Sequence, residues 1–100
     1  MAARIRLPMD RIAGFCRAWK VREFSLFGSV LRDDFGPASD VDVLLSFAPD
    51  AAWDLWDLVT MHDELADIFG RKVDLVEKEA LRNPFRRHAI LTTREVIYAA

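Results

Sequence analysis

Three aspartates and a Gly-Ser pair are the residues of this 100-residue chain whose types and spacing can do chemistry together. Asp40 and Asp42 stand two apart at the head of a β-rich run, Val41 to Phe47. On a strand, residues two apart point to the same face with Cα atoms ~6.6 Å apart, so their carboxylates can converge. Val41 and Val43 then point the other way, into a core. Two like charges among apolar neighbours cost free energy and raise each other's pKa values unless cations neutralise them. Mg²⁺ is the natural cation, because carboxylates and substrate phosphates bind it together. Two such ions ~3.5–4 Å apart would activate an attacking oxygen and stabilise a leaving pyrophosphate. Asp74, in Val73-Asp74-Leu75-Val76, supplies a third acid where an apolar strand otherwise has little use for one. The bland alternative is a solubility charge on a strand edge. If the two strands pair, Asp74 faces the same cleft as Asp40 and Asp42.

The second component is Gly28-Ser29, placed between a short apolar strand and a helix start. Glycine lacks a Cβ, so a phosphate could approach the backbone there. The Ser29 hydroxyl and the first free N–H groups of a helix could hold it. By itself such a pair is an ordinary turn. The carboxylates downstream are what give it chemical meaning.

Those residues need strands and helices to position them. Met9, Ile12, Phe15, Cys16 and Trp19 recur at helical spacing from Pro8 to Lys20, with Pro8 suited to the first turn. Phe24 to Phe27 reads as a strand, and Ser29 as the N-cap of a brief helix through about Asp34, stopped by Gly36-Pro37. The strand from Val41 to Phe47 ends at Pro49. Asp50 would cap a long helix over 51–69 with Gly70 at its exit, turning Leu55, Leu58, Val59, His62, Leu65, Ala66 and Phe69 inward. Lys72 to Val76 is a further strand, Asn83-Pro84 opens a helix to about Leu91, and Glu95 to Tyr98 adds a last strand. Strands alternating with helices define an α/β (α+β) class: helices packed on a mixed β-sheet, in one domain spanning 1–100.

Composition removes whole classes of function. With 14 basic and 16 acidic residues the net charge is −2, which disfavours a general grip on nucleic acid. A single Cys excludes an internal disulfide and a thiolate metal site; Cys16, on an apolar stripe, reads as a small core residue. No window approaches the ~20 apolar residues of a membrane span, and no signal-like run follows the basic N-terminus. A reducing cytoplasm is the expected compartment.

Gly28-Ser29, ten residues, then Asp40-Val41-Asp42 resembles the signature of the DNA-polymerase-β-type nucleotidyltransferase superfamily. Arg32, Asp34 and Ser39 stand where its minimal branch usually carries Arg, Asp and Ser, and the likeness runs on through the 53–69 helix into Gly70-Arg71-Lys72-Val73-Asp74-Leu75-Val76. The chain is most similar to the minimal nucleotidyltransferase (MNT) antitoxins, partners of HEPN-domain toxins. Asp33 departs from the pattern, because many relatives have Gly there. The resemblance implies a polymerase-β-like nucleotidyltransferase fold and transfer of AMP from ATP, with Asp40, Asp42 and Asp74 holding two Mg²⁺ ions. It implies further that Asp74 serves as base toward an acceptor hydroxyl and that Gly28 and Ser29 hold the β- and γ-phosphates. Arg32 would orient that turn or add charge near the phosphates, or is a solvated helix residue. The implied acceptor is a Tyr hydroxyl on a HEPN-type RNase toxin, which AMP attachment silences. A domain this small lacks the second lobe that would grip an acceptor, so a protein partner in a hetero-oligomer is expected to present it. Two other functions fit the same residues. One is an antitoxin that neutralises by complex formation alone, and the other is a nucleotidyltransferase acting on a small molecule or RNA.

The remaining candidates have plainer readings. His62 has no His or Cys neighbour and reads as a packed histidine. Arg86-Arg87-His88 reads as a solvated helix face. Trp53 and Trp56 pack by default, although an exposed Trp suits a partner surface.

Overall fold

The computed structural model describes residues 5–32, 35–36 and 38–100. The chain order is α1 (Met9–Ala18), β1 (Val21–Phe27), a 3₁₀ turn (Gly28–Leu31), β2 (Val41–Phe47), α2 (Leu55–Phe69) and β3 (Val73–Glu77). A second 3₁₀ turn (Lys78–Ala80), α3 (Pro84–Thr93) and β4 (Glu95–Ala99) complete it. The strands form one mixed sheet in the order β3-β2-β1-β4. β1 runs antiparallel to β2 and β4, while β2 and β3 are parallel. Parallel neighbours need a long crossover, and α2 provides it.

Period-two alternation sorts the side chains between the two faces. Val41, Val43 and Leu45 are fully buried in one core with Phe24, Leu26 and Val73, under Ile12, Phe15 and Cys16 of α1 and Met61 and Leu65 of α2. Leu44 points the opposite way and joins Phe27, Leu81 and Ile90 beneath α3. Burying a side chain the size of Met61 or Leu65 contributes about 1.5–3 kcal/mol, which anchors α2 and through it β3. Both faces of β2 are therefore covered at its middle. Toward its start, the α3 face carries Asp42 instead of an apolar residue.

Local signals account for most boundaries and for the departures from expectation. Pro8 occupies the N-cap position of α1 and accepts the Ile12 amide at 3.0 Å. α2 starts at Leu55, four residues later than its expected start at 51, because Asp54 and Asp57 form a capping box. The Asp54 carboxylate accepts the Asp57 amide at 2.9 Å, and Asp57 accepts the Asp54 amide at 3.0 Å. Asp50 instead pairs with Lys20 at 3.0 Å. Within the helix the buried stripe runs through Met61 and Leu65, while Leu55 and Val59, expected inward, are 70% and 44% exposed. Gly70 ends α2 in the left-handed conformation at φ 66°. The predicted helix from Ser29 is only the 3₁₀ turn, and Phe27, not Ser29, holds its cap position. Asp33, Asp34 and Pro37 lie outside the described residues. Among the described residues, no helix is long and apolar enough to cross a membrane.

Candidate active site

β2 and β3 pair so that Asp42 lies directly beside Asp74 in the parallel ladder. Adjacent strands are ~4.8 Å apart, so the two carboxylates leave the same sheet face as close neighbours. Asp40 precedes β2 by one residue and is half-buried. The ladder is tied beside it, because the Val41 amide donates to the Lys72 carbonyl at 2.9 Å. Asp74 is exposed and Asp42 half-buried.

The Gly-Ser turn closes on this pair from β1. Phe27 pairs with Asp42 across the antiparallel ladder, which brings the next residue, Gly28, against the aspartate. Gly28 adopts φ 72°, and a Cβ there would overlap Asp42 Oδ2 and stand 3.2 Å from Cγ. The missing Cβ thus makes room for the Asp42 carboxylate, where the sequence suggested space for a phosphate. Ser29 donates its backbone N–H to Asp42. Its hydroxyl makes only a long 3.4 Å bond to the Asp40 carbonyl. Ser29 therefore links the backbone or side chains of both aspartates, a role different from helix capping.

Burial pushes the Asp42 carboxyl above its ordinary range, and the adjacent Asp74 charge and then Asp40 push it further. The Ser29 N–H and the Arg32 guanidinium pull in the opposite direction. Asp42 therefore senses both other acids, and Arg32 lies within electrostatic range of it. A groove of ≈ 530 Å³ opens beside the turn, lined by Gly28, Leu31, Arg32, Thr93, Arg94 and Glu95. Among the described residues, no three His, Cys, Asp or Glu side chains form a ready-made metal cluster. The donor chemistry nonetheless suits a hard divalent cation, because all three side chains offer oxygen and Asp42 faces the like charges of Asp74 and Asp40.

Other contacts were not legible in the sequence. Arg71 stacks over Phe35 at 4.5 Å, tying the start of β3 to the loop between the Gly-Ser turn and Asp40. His62 is half-buried and bonds the Val73 carbonyl through Nε2 at 2.8 Å, a histidine packed with a defined partner. Trp53 packs edge-on against Trp19 with ring centroids 5.1 Å apart and donates to the Trp19 carbonyl at 3.0 Å. Trp56 is 76% exposed next to Leu55. Arg86 and His88 are exposed, as a solvated face requires, whereas Arg87 bonds the Lys78 carbonyl at 3.0 Å.

Asp42 and Asp74 on adjacent strands, beside a Gly-Ser turn on a mixed sheet backed by helices, form the candidate site of this fold. The chain belongs to the nucleotidyltransferase domain family, whose pattern matches residues 9–97. It is 33% identical over 78 residues to the protein adenylyltransferase MntA of Thermococcus cleftensis, covering 78% of this chain and 74% of that protein. In three dimensions it is similar to a chain of a crystallised toxin–antitoxin with AMP-PNP (TM-score 0.75, 21% identity, 94% of this chain and 75% of the other). It is also similar to a chain in the complex of tri-AMPylated Shewanella oneidensis HEPN toxin with MNT antitoxin (TM-score 0.65, 20% identity, 91% and 69% covered).

Proposed function

We propose that this chain is a Mg²⁺-dependent protein adenylyltransferase that transfers AMP from ATP to a hydroxyl, most simply a Tyr hydroxyl, of a HEPN-type toxin. It would act in the cytoplasm as that toxin's antitoxin, with the described sheet and helices as one minimal catalytic domain. The observation that carries the proposal is the side-by-side register of Asp42 and Asp74, with the Gly28-Ser29 turn held against Asp42. Asp40, Asp42 and Asp74 would hold two Mg²⁺ ions, which on binding supply positive charge to the triphosphate and to the leaving pyrophosphate. Mg²⁺ retains waters and phosphate oxygens among its ligands, so the protein need not provide a closed cage.

In this reading Ser29 and Arg32 orient the triphosphate beside the turn, and Gly28 leaves Asp42 room to face it. Asp74, the exposed member of the pair, takes the proton from the acceptor hydroxyl. The acceptor oxygen forms the new ester to the α-phosphorus, the α–β anhydride bond breaks, and pyrophosphate carries away its electron pair. The apolar patch of Leu55 and Trp56 on α2 supports a protein partner, since such residues are rarely exposed together without one.

The test is incubation of the chain with α-labelled ATP, Mg²⁺ and the product of the adjacent gene. Label should pass to that protein, require Mg²⁺, and vanish with Asp40→Ala or Asp42→Ala while both variants stay folded. Labelling that survives in both variants would refute the assignment. Block of the toxin by stoichiometric Asp40→Ala protein would favour neutralisation by complex formation.

A further inference from the structure

β3 carries Asp74 in the weakest position a strand can occupy. It is five residues long, it lies at the edge of the sheet, and β2 is its one strand neighbour. In a parallel ladder, successive residues alternate between bonding the neighbouring strand and facing away from it. The Val41 amide takes the Lys72 carbonyl, so the Val73 carbonyl faces the open edge. An edge carbonyl is ordinarily left to water. Here His62 of α2 reaches over and bonds it through Nε2 at 2.8 Å.

The bond has a determined direction, because a carbonyl can only accept, so Nε2 must carry a proton. The other nitrogen, Nδ1, lies 3.4 Å from Asp63 Oδ1 on the same helix. Met61 and Leu65, on either side of His62 in α2, are fully buried, so the ring projects from a fixed support. Val73 is itself 3% exposed. The residue immediately before Asp74 therefore has its side chain set in the core and its outward carbonyl held by His62, while Lys72 before it bonds β2.

We propose that His62 is a positioning residue. Its Nε2–H grips the open edge of β3 at Val73 and so fixes the direction in which Asp74 leaves the strand. This rests on the adenylyl-transfer reading in one respect, the role of Asp74 toward the acceptor. His62 touches no reacting atom. It acts by keeping β3 from fraying away from β2, where a shift of about 1 Å at a catalytic group is enough to cost roughly a hundredfold in rate. A single edge bond restrains only part of such a shift, so its loss should cost about tenfold.

The experiment compares the wild-type chain with His62→Leu, which keeps bulk but removes the donor, and His62→Gln, whose side-chain amide can still donate. Two readouts are taken: kcat and KM for ATP with the acceptor protein and Mg²⁺, and residue-resolved amide exchange in the free chain. In His62→Leu, kcat should fall about tenfold with KM for ATP changed by less than about twofold. Amide exchange over 73–76 should accelerate about tenfold while β1 and β2 keep their protection. His62→Gln should restore both. An unchanged His62→Leu protein, or one whose exchange rises equally across the whole sheet and is not rescued by Gln, overturns the proposal. If the wild-type chain transfers no AMP, the functional reading fails, and the exchange comparison alone then decides whether His62 orders β3.

Discussion

Gly28→Ala tests the architecture of the site more directly than removal of a carboxylate. At φ 72°, Gly28 lies in the left-handed region, where an L-residue costs about 1–2 kcal/mol. For a domain of this size each kcal/mol lowers Tm by roughly 4–8 °C, so backbone strain alone predicts a fall of about 4–16 °C. The added methyl would also overlap Asp42 Oδ2 and sit 3.2 Å from its Cγ. The aspartate is short and half-buried, so relief requires its carboxylate to swing away and release the Ser29 N–H. Loss of that alignment should lower AMP transfer about a hundredfold, well beyond what partial unfolding explains. Gly14→Ala is the internal control. Gly14 lies inside α1 with nothing within 4 Å of an added Cβ, so the same substitution should stabilise the fold by about 0.5–1 kcal/mol. Calorimetry and α-labelled ATP assays at matched folded fractions read both variants. A Gly28→Ala protein with wild-type Tm and transfer within twofold of wild type would refute the argument.

Asp42→Asn should abolish transfer yet stabilise the metal-free protein at neutral pH. Its folded pKa lies above the unfolded value, so the stability linked to protonated Asp42 is present in acid and lost as pH rises through the folded pKa. The advantage of the variant in urea midpoint, measured in EDTA, should therefore grow from pH 3 to pH 7. Burial, slightly opposed by Arg17, pushes the Cys16 thiol up to about 12. Above pH 9 the unfolded chain loses that proton while the folded chain keeps it, so stability should decline between pH 9 and about 12, and Cys16→Ala should flatten that decline in denaturation midpoints. Asp54→Ala removes half of the α2 capping box and should cost about 1 kcal/mol, read as a Tm lower by roughly 4–8 °C.

Elements of strong periodicity were legible in the chain itself. Strands over 41–47, 72–76 and 95–98, the helix within 8–20 and the exit at Gly70 all follow from local signals, and each is present, β3 as Val73–Glu77 and the helix as Met9–Ala18. The start of α2 is ambiguous in the sequence because two aspartates, Asp50 and Asp54, both offer a cap. Asp54 wins because Asp57 completes a reciprocal box and Lys20 takes Asp50. The Gly28-Ser29 turn is legible from the chain, but its contact with Asp42 is not. Nothing in the local sequence says that the aspartate fourteen residues on will fill the space above Gly28.

What the sequence determined by itself was the chemistry on offer: hard oxygen donors at a spacing of two, a third in a later strand, and a Gly-Ser turn ahead of them. Those depend on residue type and on the period of a strand, which are local properties. Tertiary structure decided which of those groups meet. Only the parallel register of β2 and β3 sets Asp42 beside Asp74, whose charge adds to burial in raising its pKa, and only the antiparallel register of β1 and β2 lays Gly28 against it. Register is set by which apolar residues share the core: the observed alignment buries Val41, Val43 and Val73 together, and a one-residue slip of β3 would turn Val73 out and Asp74 in. Likewise His62 finds Val73, eleven residues on, only because α2 crosses over to return the chain along the free edge of β2.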